Sequence, residues 1–272
     1  MLTYSVVLWF LLAKGATADD TDISINEIIE SQYGSGSLQS PASKLQDEVD
    51  ILKLLNLSSK APGVSLTEGP IKGYPAYKLR LPYGDALVSN SSPIVRAMSS
   101  NEGFTAVFVF RQQRRTLGTL LSINSPGRLT PWFQIISNMR TGNLILRYRL
   151  SSSGKLHQTS WPLTSHHRKS WPLAAWTWLS VIADYNTSTL RLDVDCLPSR
   201  FEHLNGKETN LYDRIGVPQD SLVYFRQEPG RKKKFLGSIQ VAKVLPQVTH
   251  QRLWTCREIT ENNASDNRKP VM

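Results

Sequence analysis

The chain has 272 residues, with 32 Lys and Arg against 22 Asp and Glu, a formal net charge of +10, 40% apolar and 20% charged residues, and two cysteines. These proportions exclude a coiled coil, a collagen repeat and a small disulfide knot, and they leave enough apolar sequence for a sizeable core in one large or two small domains. The charge is unevenly spread. From Asp19 to Asp50 there are eight acids and one base, whereas residues 51–272 hold 30 bases against 14 acids, and no carboxylate occurs between Glu102 and Asp184.

Residues 1–18 read as a signal peptide, because an apolar run from Val6 to Leu12 leads into the small-x-small site Ala16-Thr17-Ala18. That run is shorter than the roughly 20 residues of a membrane span, and no later stretch is long and apolar enough for one. Residues 19–42 are expected to be a flexible acidic lead-in, with Gly34-Ser35-Gly36-Ser37 and Ser40-Pro41 as linker composition. A short helix is expected next, since Ser43 and Gln46 fit a capping box and Leu45, Val49 and Leu52 recur at helical spacing up to about Leu55.

From Gly69 onward the signals are those of strands. Phe104, Ala106, Phe108 and Phe110 alternate with Thr105, Val107 and Val109, both sets mostly apolar, which predicts a strand buried along most of its length. Over residues 143–150, Leu144, Leu146, Tyr148 and Leu150 face one way and Ile145, Arg147 and Arg149 the other. The run Trp178–Ala183 and the set Leu190, Leu192, Val194 and Cys196 flank Asn186-Thr187-Ser188 and read as a hairpin. Leu222–Phe225 and Phe235–Leu245 supply further strands around the loop from Gln227 to Lys234, and residues 258–272 form a polar tail. Short strands at this spacing, with no helices between them, predict an all-β antiparallel sandwich. Cys196 and Cys256 are the only cysteines, so export favours pairing them over two free, catalytic or metal-bound thiols.

Four stretches, DILKLLNLSSKAPGVSL, GFTAVFVFRQQRRTLGTLLSI, WTWLSVIADYNTSTLRLDVDC and FLGSIQVAKVLP followed by Cys256, carry a likeness that runs roughly from Leu45 to Cys256. In them the sequence resembles the thrombospondin N-terminal domain family, a laminin-G-like module shared with collagens and NEL-like secreted proteins. It departs from the family where Trp176 is followed by Thr177 and Trp178, and in the long Ser151–Ala175 stretch with its doubled Trp-Pro-Leu. The resemblance implies a laminin-G-like jelly roll over residues 43–257 and a disulfide from Cys196, preceded by Asp195, to Cys256. It also implies affinity for heparin-type polysaccharides.

Among candidate sites, enzymes leave the fewest traces: there is no His-Glu-x-x-His, no Gly-x-Ser-x-Gly and no phosphate-binding glycine loop. Asp193 and Asp195 share a predicted strand face and are the candidate pair for a lectin-like polysaccharide hydrolase or a calcium edge, with a solvated strand face as the simpler reading. His166 and His167 are adjacent, so on a strand they point to opposite faces and chelate poorly. No metal or other cofactor is expected. The basic clusters stand out: Arg231, Lys232, Lys233 and Lys234 in the loop after Pro229-Gly230, Arg111, Arg114 and Arg115 in a second turn, and Arg147 and Arg149 on a strand. A sulfated glycosaminoglycan presents closely spaced anions, and clustered cations gain by releasing its counterions. Of four sequons, Asn56, Asn186 and Asn263 are candidate glycosylation sites, and Asn90 is disfavoured by the nearby Pro93. The expected function is a secreted extracellular-matrix binding module for heparin or heparan-sulfate-type glycosaminoglycan, with matrix or growth-factor proteins as further partners and neither nucleic acid nor a membrane span involved. The rival is a purely protein-binding module whose contact surface is the apolar loop around Trp161, Trp171 and Trp176.

Overall fold

The computed structural model of the protein describes residues 48–81, 87–88, 90–163, 175–204, 213–249 and 252. The apolar run at its centre explains the architecture. β5 (Gly103–Gln112) lies between β10 (Thr177–Asp184) and β14 (Gly237–Leu245), antiparallel to both. Its Phe104, Ala106, Phe108 and Phe110 enter the main core, while Val107 and Val109 join a second cluster on the outer face with Ile71, Ala76, Trp176 and Trp178. Both parities are apolar because both faces are covered.

One sheet runs β12–β11–β10–β5–β14–β3–β2, with β1 (Val49–Asp50) paired to β14 beside β3 (Ala76–Leu79); β2 is Val64–Thr67, β11 Thr189–Val194 and β12 Arg200–His203. The other runs β4–β13–β6–β7–β8–β9, built from Leu87–Val88, Leu222–Phe225, Leu117–Asn124, Pro131–Asn138, Asn143–Arg149 and Leu156–Pro162 respectively. Every strand pairing is antiparallel, and the inner faces of the two sheets share one core, as where Phe104 of β5 meets Phe133 of β7 edge to face at 5.5 Å. The fold is therefore the expected antiparallel β-sandwich. In β8, Leu144, Leu146 and Tyr148 are buried and Ile145, Arg147 and Arg149 face outward, as the alternation predicts. The β10–β11 hairpin closes over Asn186–Ser188, where the Asp184 carboxylate accepts the backbone N–H groups of Asn186 and Thr187 at 2.9 and 3.2 Å.

Two local features differ from expectation. The N-terminal helix, α1, is a single turn, Ile51–Leu54, capped by Asp50, whose carboxylate accepts the Lys53 N–H at 3.1 Å. Val49 and Asp50 are not helical because they pair with Val244 and Lys243 of β14; Ser43 and Gln46 lie outside the described residues. A second helix, α2 (Ser92–Met98), stands in a region read as strands and loops. It buries Ile94, Val95, Ala97 and Met98, a helical spacing too short to register in a longer window.

Candidate polyanion-binding site

At one end of the first sheet, pairing register sets Ser65, Lys78, Ser238 and Arg111 side by side on β2, β3, β14 and β5. Residues directly opposite in register share a face, so Lys78 and Arg111 flank Ser238 with Cα atoms about 10 Å apart, twice the interstrand spacing. Arg80 follows on the same parity as Lys78. These side chains, with Leu81, Gln113 and Ser238, line an open cleft of about 600 Å³ that has no carboxylate among its described lining residues. Among the described residues, Lys78, Arg80 and Arg111 make no ion pair. Gly237, at φ 152°, lets the strands close here: a Cβ would stand 2.2 Å from the Arg111 carbonyl oxygen.

The cleft shares its walls with the basic loops. Gln113 donates its backbone N–H to Leu236 O at 2.8 Å, and Thr119 of β6 donates to Lys233 O at 2.9 Å, which docks the Lys233–Leu236 segment against β6 and the start of the β5–β6 turn. Arg114 and Arg115 are exposed on that turn, and Arg140 of the β7–β8 turn donates to Arg115 O at 3.2 Å. Arg111 itself is in β5 rather than in the turn expected for it. Arg231 closes a 3-10 turn, Pro229–Arg231, and its side chain is outside the described set.

The cations of the loop are not equivalent. Lys233 pairs with Glu228 at 2.7 Å, whereas Lys232 is exposed and Lys234 bridges to Thr119 through the backbone. Glu228 also accepts from the Gln134 amide at 3.1 Å, and Gln134 accepts from Arg147 at 3.4 Å, so a polar chain joins the outer face of β7 and β8 to the loop. Arg147 donates a second bond to Gln158 at 2.8 Å. Arg149 goes elsewhere: it donates to Pro131 O and Gly154 O at 3.1 and 2.5 Å and lies over the Trp132 ring at 5.5 Å. Backbone contacts thus set the turn bearing Arg114 and Arg115, at the end of the strand that carries Arg111, beside the segment that carries Lys233 and Lys234; a hydrogen-bond chain runs from Arg147 to Glu228, and Arg149 has other partners. Sequence reasoning missed Lys78, Arg80 and Arg140. The alternation Lys78, Leu79, Arg80 was a strand signal, but nothing local said that it meets β5.

The other candidates are committed to structural bonds. Asp193, 1% exposed, pairs with Arg191 at 2.7 Å, with Arg252 at 3.9 Å. Asp195 does not share its strand face: β11 ends at Val194, and Asp195 sits at φ 48° with its carboxylate accepting the Trp178 N–H at 2.9 Å. The two carboxylates therefore do not face one cleft. His166, His167 and Trp171 lie outside the described residues, and Trp161 and Trp176 are buried at 8% and 6% exposure, which removes two of the three indoles from the apolar contact surface expected of the rival reading. Among the described residues no three His, Cys, Asp or Glu side chains gather as a metal site, and no helix is long and apolar enough to cross a membrane. Cys196 is exposed and disulfide-bonded, while Cys256 and Asn263 are outside the described residues. Asn56 and Asn186 are exposed.

The architecture is that of a two-sheet antiparallel β-sandwich with a cationic cleft at the end of one sheet. Thrombospondin-2 of Gallus gallus is 33% identical over 116 residues, 42% of this chain and 10% of that protein. Thrombospondin-2 of Homo sapiens is 28% identical over 182 residues, 63% of this chain and 15% of that protein, and that of Mus musculus 26% over 210 residues, 76% and 17%. The chain spans less than a fifth of the length of these relatives. No family model matches the sequence. Among solved structures, the CBM40 domain of Ruminococcus gnavus IT-sialidase bound to α2,6 sialyllactose has a TM-score of 0.49 at 15% identity, covering 62% of this chain and 88% of that one. The leech intramolecular trans-sialidase has a TM-score of 0.46 at 12% identity, covering 83% and 28%. The sequence likeness to thrombospondin-2, together with the fold, supports a thrombospondin N-terminal-like, laminin-G-like domain.

Proposed function

We propose that this chain is a non-catalytic, extracellular binding module that holds sulfated glycosaminoglycan of the heparin and heparan-sulfate type, with matrix or growth-factor proteins as additional partners. The observation that carries the reading is the cleft lined by Lys78, Arg80 and Arg111, whose wall residue Gln113 adjoins the exposed Arg114 and Arg115 and donates to Leu236, two residues after Lys234 of the basic loop. Among the described residues, Glu228 is the carboxylate paired with a cation of the basic loop. Fixed cations spaced along a surface neutralise a linear polyanion and release its counterions, which gives affinity that falls steeply with salt. The apolar leader read in residues 1–18 and the thrombospondin likeness support secretion to the matrix.

The test is retention of the mature chain on a heparin column and the slope of log affinity against log salt. Wild type should be retained at physiological ionic strength. Converting Lys78 and Arg80 to alanine should reduce the slope by about two, near one per anion contact. Passage of wild type without retention would remove the reading. An unchanged slope in the double variant would remove the cleft from it and leave the Arg114, Arg115 and Lys232–Lys234 group.

A further inference from the structure

The three cations of the cleft are held differently. Lys78 and Arg80 reach it from the end of β3 without a charged or aromatic partner among the described residues. Arg111 is stacked: its guanidinium carbon lies 5.2 Å from the centroid of the Trp176 ring. The register that sets Thr177 opposite Phe110 continues to place Trp176 beside Arg111, so the contact follows from the β5–β10 ladder.

Trp176 is a fixed platform. It is 6% exposed and packs in the outer cluster with Ile71, Val109, Trp178 and Val241. Gln240 straps the segment around Ile71 over that cluster, donating to Ile71 O and Tyr74 O at 2.7 and 2.8 Å and accepting the Ile71 N–H at 3.0 Å. Gly69 admits the strap, since a Cβ there would fall 2.4 Å from the Gln240 amide carbon. A guanidinium lying over an indole uses its π face for the contact and keeps its in-plane N–H donors for an oxyanion. An arginine held in this way does not lose its rotamer freedom again when a ligand arrives.

We propose that Trp176 is a positioning residue for the cleft: it holds Arg111 with its fork of donors aimed at a sulfate or carboxylate of the bound polysaccharide, without touching the ligand itself. The proposal rests on the polyanion reading above. Lys78 and Arg80 then act as point charges that adjust to the ligand, and Arg111 as the preorganised, geometry-selective contact. The strap held by Gln240 extends the influence of the outer cluster into the site.

Calorimetric titration with a size-defined heparin oligosaccharide tests this in wild type, Trp176→Phe, Trp176→Leu, Arg111→Ala, Arg111→Lys and the Trp176→Leu/Arg111→Ala double variant. Trp176→Leu should weaken binding by about threefold to tenfold, and Trp176→Phe, which keeps a ring face, by about twofold or less. In the Arg111→Ala background Trp176→Leu should cost nothing further, because the contact it serves is gone. Arg111→Lys should weaken binding although the charge is kept. Full additivity of Trp176→Leu and Arg111→Ala, or wild-type affinity in Trp176→Leu, overturns the proposal. If Trp176→Leu does not fold, Arg111→Lys and Trp176→Phe decide, and wild-type affinity in Arg111→Lys overturns it. Absence of binding by wild type removes the polyanion reading, whereas wild-type binding that ignores these changes removes the role of Trp176 alone.

Discussion

Glu228 holds Lys233 at 2.7 Å in the middle of the basic loop, so the chain carries its own anion where a ligand anion would compete. The same carboxylate oxygen accepts from Gln134, and both ends of the ion pair retain some exposure, 32% for the Lys233 side chain and 14% for that of Glu228.

Glu228→Gln therefore keeps a hydrogen-bonding side chain of the same size and releases the lysine charge. Heparin elution should shift to higher salt, while the stability cost stays near 1 kcal/mol or below, as for partly exposed pairs. An elution position at or below that of wild type would mean that Lys233 does not face the ligand.

Asp213 sets an acid limit on stability. It is 5% exposed and staples the turn after β8 by accepting from the Ser151 and Ser152 hydroxyls and from the Ser152 and Arg214 backbone N–H groups. Burial alone would raise this carboxyl, yet the hydrogen bonds from Ser152, Arg214 and Ser151 outweigh it and hold it below its ordinary 3.8. A carboxylate depressed in the folded state stabilises fully above its unfolded value, and that stability is lost as pH falls below about 4 through the folded value. Asp213→Asn should cost about 1 to 3 kcal/mol at pH 7 and flatten the stability profile below pH 4, measured by urea unfolding across pH. A parallel loss at every pH would show that the carboxylate charge is not what matters.

Cys196 has Cys256 as the only other cysteine of the chain, and Arg252, four residues before Cys256 in sequence, is docked on the residues flanking Cys196: its guanidinium donates to Asp195 O at 2.6 Å and also to Leu197 O. We expect the Cys196–Cys256 crosslink in peptides of the non-reduced mature protein by mass spectrometry. Cys196→Ser should lower stability by about 2 to 4 kcal/mol. Two thiols open to alkylation in the native protein would refute the pairing.

The Gln240 strap gives a stability prediction separate from binding. Gln240→Leu leaves the Ile71 N–H and the Ile71 and Tyr74 carbonyls without their side-chain partners, and such buried groups cost about 1 to 3 kcal/mol each when left unsatisfied. Hydrogen exchange should show faster exchange at Ile71 with little change at Phe104. Uniformly raised exchange across the sandwich would place Gln240 in the global core instead.

Much of the fold was legible because it is written in local periods. The doubly apolar β5, the alternation of Leu144, Leu146 and Tyr148 with Arg147 and Arg149, and the turn at Asn186 are each properties of adjacent residues, and a period of two is enough to read them. The excess of base over acid and the lack of carboxylates between Glu102 and Asp184 are composition, which folding does not alter. Elements shorter than a reading window were not legible: Val49 and Asp50 break the expected helix because β14 offers them a partner, and α2 is only two turns resting on the core.

The site divides along the same line. That clustered cations dominate this chain follows from the sequence alone. Which of them meet was decided by pairing register between distant strands, which brings Lys78 to Ser238 and Ser238 to Arg111. Register in turn is held by the inner-face side chains, since a slip of one residue would turn Leu79, Ile239 and Phe110 out of the core. The same packing sends Arg149 to Pro131 and Gly154, pairs Lys233 with Glu228 and lays Arg111 on Trp176, because an arginine or lysine takes whatever partner the backbone brings within reach, and only the folded chain determines that partner.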